Sequence, residues 1–465
     1  MLKIIFLALM IIGVPVAISM AGASLIYVAY TGSTPPFVVV HRMIGGIDSF
    51  PLLAVPFFIL AGNLMNNAGI TNRIFNFALA LVGWLKGGLG HVNVLGSVIF
   101  AGMSGTAIAD AAGLGTIEIK AMKDHGYSTE FAVGVTAASA TLGPIIPPSL
   151  PFVIYAMMAN VSVGALFLAG LMPGLLLAAM MMLTVSWFAY KNKWGGDVKF
   201  SSSRFGKALI ELGVVAAWPT AVYLLVQAGL QPQLTVALAL VVLFAADRYF
   251  KFQAVLPIMT PVLLIGGMTT GLFTPTEGAI AASVWAMVLG LFWYHTLSWK
   301  MFVKISLDTV EMTATVMFIV AAASIFGWML TATGVTAAIA EWVLGFTRQA
   351  WVFLLLANLL MLFVGCFLEP TAAITILVPL LLPIATKLGV DPVHFGLVMV
   401  LNLMIGLLHP PMGMVLFVLA RVAKLSVERT TVAIIPWLIP LLLSLVLLTY
   451  VPAIGLWLPR LMGFL

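Results

Sequence analysis

Apolar residues run along this chain in long blocks with no alternation, separated by short polar segments and by breaks marked with proline and glycine. Residues 171–185 and 438–450 are apolar on nearly every face. A membrane β-strand would alternate apolar and polar positions over roughly ten residues, so these blocks predict helices. About a dozen of them approach the length of a membrane span, which takes roughly 20 apolar residues. The expected fold class is an all-α polytopic membrane protein. Residues 3–40 leave open whether they form one span or two.

Composition agrees with this class. Of 465 residues, 63% are hydrophobic and only 8% are charged, where a soluble chain carries roughly a quarter. There are too few polar side chains to wet a globular surface, so the surface meets lipid. The net charge of +6 reads as the Lys/Arg excess of cytoplasmic loops. No water-exposed basic domain exists to bind nucleic acid. The single cysteine, Cys366, excludes an internal disulfide and a cysteine-rich metal site. No phosphate loop is present and no paired catalytic groups stand out, so an enzyme is not expected. The first 30 residues lack the layout of a cleaved signal peptide and read as a retained span. Lys191, Lys193, Lys199, Arg204 and Lys207 mark the longest polar segment as cytoplasmic. Counting outward, residues 227–233 are periplasmic, and Arg248, Lys251, Lys300 and Lys304 are cytoplasmic again, before a long span over about 307–330.

The chain contains a repeat. Residues 61–70 align with 326–335, and residues 143–149 align with 406–412, at offsets of 265 and 263 residues. The first copy is flanked by Lys86, His91, Lys120 and Lys123, the second by Arg348, Lys387 and Asp391, which nearly cancel. The copies therefore face opposite sides, which puts a binding site between them at mid-depth. The expected organisation is an N-terminal scaffold (1–49), repeat 1 (50–190), a cytoplasmic loop with linking helices (191–253), scaffold helices (254–306), repeat 2 (307–452) and a tail (453–465).

Each repeat is interrupted twice. Small and hydroxyl-bearing residues at 101–106 and 365–371 sit between apolar stretches whose outer ends lie on one side. These predict re-entrant hairpins, over about 92–120 and 350–386, with tips at mid-depth. The pairs Pro147-Pro148 and Pro410-Pro411 predict discontinuous helices over about 128–160 and 393–421, because proline lacks the amide proton and clashes with the preceding turn. Unwound carbonyls are costly in hydrocarbon, and a cation satisfies them. One Na⁺ site is expected from Ser104, Gly105, Thr106, Gly143, Pro144 and Ser149, and a second from Gly365, Glu369, Thr371, Gly406, His409 and Met412. Helix ends of the opposite sense would offer amide protons to an anionic substrate. Asp110 and the four break prolines are further substrate or coupling candidates. For Asp110 and Glu369 the functional readings are cation ligation and proton coupling. Glu277, in Thr274-Pro275-Thr276-Glu277, reads as a helix start. Asn63, Asn66 and Asn67 read as a helix end before Gly69, and His409 stands evenly between a functional and a structural role.

Residues 53–62, 102–110, 143–149, 274–279 and 409–413 together resemble the large membrane subunit of tripartite ATP-independent periplasmic (TRAP) transporters, and the resemblance covers essentially the whole chain. It implies an ion-transporter fold working as an elevator and coupling to Na⁺. It also implies a separate four-helix membrane partner, a periplasmic binding protein, a bacterial inner-membrane location, and a small organic anion such as a C4-dicarboxylate, sialic acid or a sugar acid. The alternative is a free-standing Na⁺ or H⁺/carboxylate symporter of the same fold. The polar stretch 191–207 is longer than the resemblance leads one to expect, and its role stays open.

Overall fold

The computed structural model describes residues 1–32, 34–269, 272–410 and 413–465. Among them there is no β-strand, only an isolated bridge between Lys86 and Gly196. The N-terminal region forms α1 (Leu2–Ile11), α2 (Val16–Thr31) and α3 (Phe37–Ile47). Residues 3–40 fold as parts of three short helices, because Pro15 and the Pro35-Pro36 pair each begin a new one. The chain continues through α4 (Ala54–Asn67), α5 (Ile70–Val82), α6 (Gly88–Ser104), α7 (Ala107–Ala112), α8 (Leu114–Asp124), α9 (Thr129–Ala140), α10 (Leu150–Ala159) and α11 (Val163–Lys191). Next come α12 (Ser202–Gln227), α13 (Pro232–Phe250), α14 (Val255–Thr269), α15 (Pro275–Met287, continued by a π-helical turn), α16 (Trp299–Ala332) and α17 (Val335–Phe346). The last six are α18 (Ala350–Gly365), α19 (Pro370–Lys387), α20 (Pro392–Gly406), α21 (Met414–Ala423), α22 (Val427–Tyr450) and α23 (Ala453–Leu461).

Seven of the described helices are long and apolar enough to cross a membrane, and eleven shorter ones are also apolar. The dozen blocks of the sequence thus divide into more pieces than expected, since proline and glycine cut several of them. The long span expected over about 307–330 starts earlier, at Trp299, where Ser298 accepts the Met301 N–H at 3.2 Å as its cap. Lys300 and Lys304 therefore lie on the helix itself. Thr274 and Glu277 form a capping box at the start of α15, as the sequence indicates.

The capping residues recur along the chain. Gly69 and Gly334 both hold a φ of 70° ahead of α5 and α17, 265 residues apart. Thr106 caps α7 and Glu369 caps α19; Ser128 caps α9 and Asp391 caps α20; Ser162 caps α11 and Ser426 caps α22. Asn160 and Lys424 end α10 and α21 in the left-handed conformation. The segments α4–α11 and α16–α22 thus share one order of turns and stops. One element breaks the match. The arm after the first tip is split into α7 and α8 at Gly113, where the Asn66 amide packs so close that no Cβ would fit. The arm after the second tip, α19, is continuous despite Pro379 and Pro383.

The largest apolar core joins α6–α11 with α18–α22 and the start of α4. A second gathers α4, α5 and α12–α15, and a third joins α1–α3 to α16. Inside the first core the two halves exchange partners: α10 packs on α19, and α21 packs on α7. Each hairpin arm is also pinned to the discontinuous helix of its own half by an asparagine. Ser139 of α9 donates to Asn93 Oδ1 of α6 at 2.7 Å, and Asn402 of α20 donates to Asn358 Oδ1 of α18 at 2.8 Å. These four residues are buried, so losing one partner strands the other. Asn402→Leu is expected to destabilise the protein by about 1–3 kcal/mol, read as a lower melting temperature of the purified chain in detergent, with the exposed Asn67→Ala as an unaffected control. An unchanged Asn402→Leu melting curve would remove the pin.

Candidate functional site

Hairpin tips and helix breaks meet at one place. A cavity of about 340 Å³ is lined by Ser104 and Thr106 of the first tip, Pro144 and Leu150 of the first break, Glu369 and Thr371 of the second tip, Leu407 of the second break and Met414 at the start of α21. Asn63 and Asn66 of α4 and Met312 and Val316 of α16 close another side. Five of the twelve residues expected to hold cations line it, drawn from both halves: Ser104, Thr106, Pro144, Glu369 and Thr371.

In the first half, tip and break are in direct contact. The Leu150 N–H donates to Gly105 O at 3.5 Å. A Cβ built on Gly105, whose φ is 66°, would lie 2.9 Å from Pro148 O. Ser149 donates its hydroxyl to Pro144 O and accepts the Phe152 N–H at 3.2 Å, so it both caps α10 and occupies an unwound carbonyl. The Pro147–Pro148 peptide is cis. Thr106 Oγ1 accepts the Ala109 N–H at 3.3 Å. Behind the tip, the Ser104 hydroxyl donates to Asp110 Oδ1, while the buried Asp110 Oδ2 has no protein partner. A Cβ on Gly143 would sit 2.9 Å from that oxygen and 3.1 Å from Thr106 O. A free carboxylate oxygen, a hydroxyl and a backbone carbonyl therefore crowd one spot, a donor set suited to a hard cation.

The second half is built differently. Gly365 and Gly406 meet backbone to backbone: a Cβ on Gly406 would be 2.7 Å from Gly365 Cα. Glu369 is a helix cap, with Oε1 accepting the Thr371 hydroxyl at 2.8 Å and Oε2 accepting the Ala372 N–H at 3.3 Å. His409 Nδ1 lies 3.1 Å from Ile405 O, and Gly413 N–H donates to His409 O at 3.0 Å. These oxygens are more fully engaged than those of the first half. Pro411 and Met412 lie outside the described residues. Pro410 is exposed and, like Pro147 and Pro148, is not in the cavity wall.

Among the described residues the lining holds no Lys, Arg or His, and Glu369 is its single ionisable side chain. The first residues of α10, α19 and α21 all reach it. Ser149 and Glu369 cap the first two with side chains, but α21 begins at Gly413 with no side-chain cap. That helix start is left with free positive character toward the cavity. Asn63 and Asn66 were expected only as a helix end. They do end α4, which stops at Asn67, yet their three-residue spacing turns both to the cavity. Asn63 Nδ2 also donates to Thr309 Oγ1 of α16 at 3.1 Å. Three asparagines in an apolar helix were the available signal. No group of three His, Cys, Asp or Glu side chains suited to a metal ion occurs among the described residues.

Comparison with known proteins finds similar chains over nearly the whole length. The model of the "Tripartite ATP-independent periplasmic transporter, DctM component" family matches residues 3–454. The sialic acid TRAP transporter large permease protein SiaM of Vibrio cholerae is 42% identical over 458 residues, covering 98% of this chain and 97% of that protein. The C4-dicarboxylate TRAP transporter large permease protein DctM of Rhodobacter capsulatus is 34% identical, covering 99% and 98%. Among solved structures, the Alcanivorax borkumensis YdaH transporter shares the fold with a TM-score of 0.59 at 16% identity, over 90% of this chain and 89% of that one. Cysteines placed at the half-buried Asn63 and Asn66 in a Cys366→Ser background are expected to react with a small hydrophilic thiol reagent, and one at the buried Ala111 is not. Equal protection at all three positions would mean a dry site.

Proposed function

Because the chain belongs to the TRAP transporter family as its large membrane permease, and so is a transporter subunit rather than an enzyme, we propose that it moves a small organic anion through the cavity between its two halves, driven by Na⁺. The substrate class is a carboxylate such as a C4-dicarboxylate, sialic acid or a sugar acid. The anion is delivered by a periplasmic binding protein, and a separate four-helix membrane subunit completes the system in the bacterial inner membrane. We read α4–α11 and α16–α22 as inverted repeats, α6–α8 and α18–α19 as re-entrant hairpins, and the movement as an elevator.

The observation that carries this reading is the convergence of both tips and both breaks on one cavity. With no basic side chain in the described lining, an anion would be held by neutral donors and by helix starts. Asn63, Asn66 and Thr106 supply the donors, and the uncapped start of α21 supplies the field. The cation is assigned first to Ser104, Thr106 O and Asp110, where a buried carboxylate oxygen has no protein partner. Gly105, Pro144 and Ser149 frame that site. The second site, at Glu369 and Thr371 with the break that follows Gly406, demands rearrangement of existing hydrogen bonds and is assigned a weaker affinity. Names of similar proteins support the substrate class, and sialic acid is the first compound to test, since the 42% identical relative is named for it.

Proteoliposomes containing the chain and its four-helix partner, supplied with binding protein and labelled anion, provide the test. Uptake is expected to require an inward Na⁺ gradient. Ser104→Ala and Thr371→Ala should each raise the half-saturating Na⁺ concentration by roughly 5- to 150-fold, as expected for removal of one ligand to a charged group at about 1–3 kcal/mol. Unchanged Na⁺ dependence in both variants would remove the two sites. Uptake by the chain alone would instead favour a free-standing Na⁺ or H⁺ symporter.

A further inference from the structure

The polar stretch 191–207 has a structural role that sets up a second recess. Residues 195–198 are tied to the turn between α5 and α6: Gly87 N–H donates to Gly195 O at 2.9 Å, and Asp197 N–H donates to Gly83 O at 3.1 Å. Asp197 Oδ2 accepts the Leu89 N–H at 2.7 Å and the Tyr127 hydroxyl at 2.6 Å. Burial pushes the Tyr127 hydroxyl well above its ordinary pKa, so it stays a donor at neutral pH. Anchored in this way, the stretch leaves a cavity of about 350 Å³ between itself, α5 and the start of α12.

Lys199, Arg204 and Lys207 line this recess together with Asn76 and Ser201. None of the three cations makes an ion pair among the described residues, where the single one joins Arg429 to Glu130. The two acids nearby are already engaged. Asp197 is held as above, and Glu211 accepts the Gln253 and Ala254 N–H groups at 2.9–3.1 Å. Lys207 donates one proton to Lys251 O at 2.8 Å and keeps two more. The opposite wall is apolar, formed by Phe77, Leu79 and Ala80. At its rim Trp84, Phe200 and Phe205 form a mutual cluster with ring centroids 5.2–6.4 Å apart, the kind of aromatic group that sits at headgroup depth. Beyond them α12 presents Leu209 and Ile210 outward, 48% and 60% exposed.

We propose that this recess binds the phosphate headgroup of an anionic phospholipid from the cytoplasmic leaflet, with its acyl chains along the exposed face of α12. Lys199 and Arg204, which make no ion pair among the described residues, together with Lys207, whose charge is partly offset by the lining Glu211, leave the recess net positive and select for negative charge. The aromatic rim and the aliphatic face beside them select a lipid over a soluble phosphate. The site lies far along the chain from the tips and breaks, shares no lining residue with the central cavity, and ties α5, α12 and the segment between them to one ligand.

The test uses the full chain, with bound lipid read by native mass spectrometry and thermal stability read in nanodiscs. Phosphatidylglycerol is expected to be retained and to raise the melting temperature relative to phosphatidylcholine. The triple variant Lys199→Gln, Arg204→Gln, Lys207→Gln should reduce retention by at least about tenfold while melting normally in phosphatidylcholine. Ala80→Trp, which fills the recess without changing charge, should give the same loss. A charge-matched control, Lys123→Gln, Lys300→Gln, Lys304→Gln, should retain lipid. Equal retention by the recess triple and the original chain, or equal loss in the control, would overturn the site. Stabilisation of the detergent-solubilised chain by inorganic phosphate to the same degree as by phosphatidylglycerol would overturn the lipid assignment.

Discussion

A backbone amide or carbonyl that loses its helical partner inside hydrocarbon costs several kcal/mol, and this fold is arranged around that cost. The chain stops helices at Ser104, Ala140, Gly365 and Gly406 and starts new ones at Ala107, Leu150, Pro370 and Met414. Exposed to lipid, these ends would be prohibitive. Gathered around one cavity they are shielded by each other, by Asn63 and Asn66, and by whatever fills the space. The exchange of α10 onto α19 and α21 onto α7 makes the gathering possible, because each half supplies the wall that the other half's ends require.

The halves share a plan but not a chemistry. Asp110 and Glu118, both buried, lie in the first hairpin; at the 263-residue offset the second carries Ala373 and Leu381. Buried carboxyl groups are thus more numerous in the first half, where one oxygen of Asp110 has no protein partner, while the second tip spends its carboxylate on capping α19.

Much of this was legible in the sequence, because breaks are written in residues with strong local rules. Pro147-Pro148, the alignment of Gly69 with Gly334, and the small residues at 101–106 and 365–371 all fall where helices stop or start: α6 ends at Ser104, α10 begins at Leu150, α17 follows Gly334 and α18 ends at Gly365. What escaped depended on contacts between distant segments. The split at Gly113 follows from the Asn66 side chain 47 positions away. The packing of Gly365 on Gly406, and the diversion of Glu369 into a cap, follow from tertiary geometry that residue type alone does not encode. Asn63 and Asn66 were noticed but assigned to the helix end, since a single helix does not reveal what it faces.

The glycine contact has a mechanical meaning. Where Gly406 rests on Gly365, main chain touches main chain, with no side chain between them to change rotamer and take up a displacement. A seam of that kind transmits force and does not slip. The end of α18 and the end of α20 are thereby held at main-chain distance, so a side chain larger than hydrogen at either position would force the two helices apart.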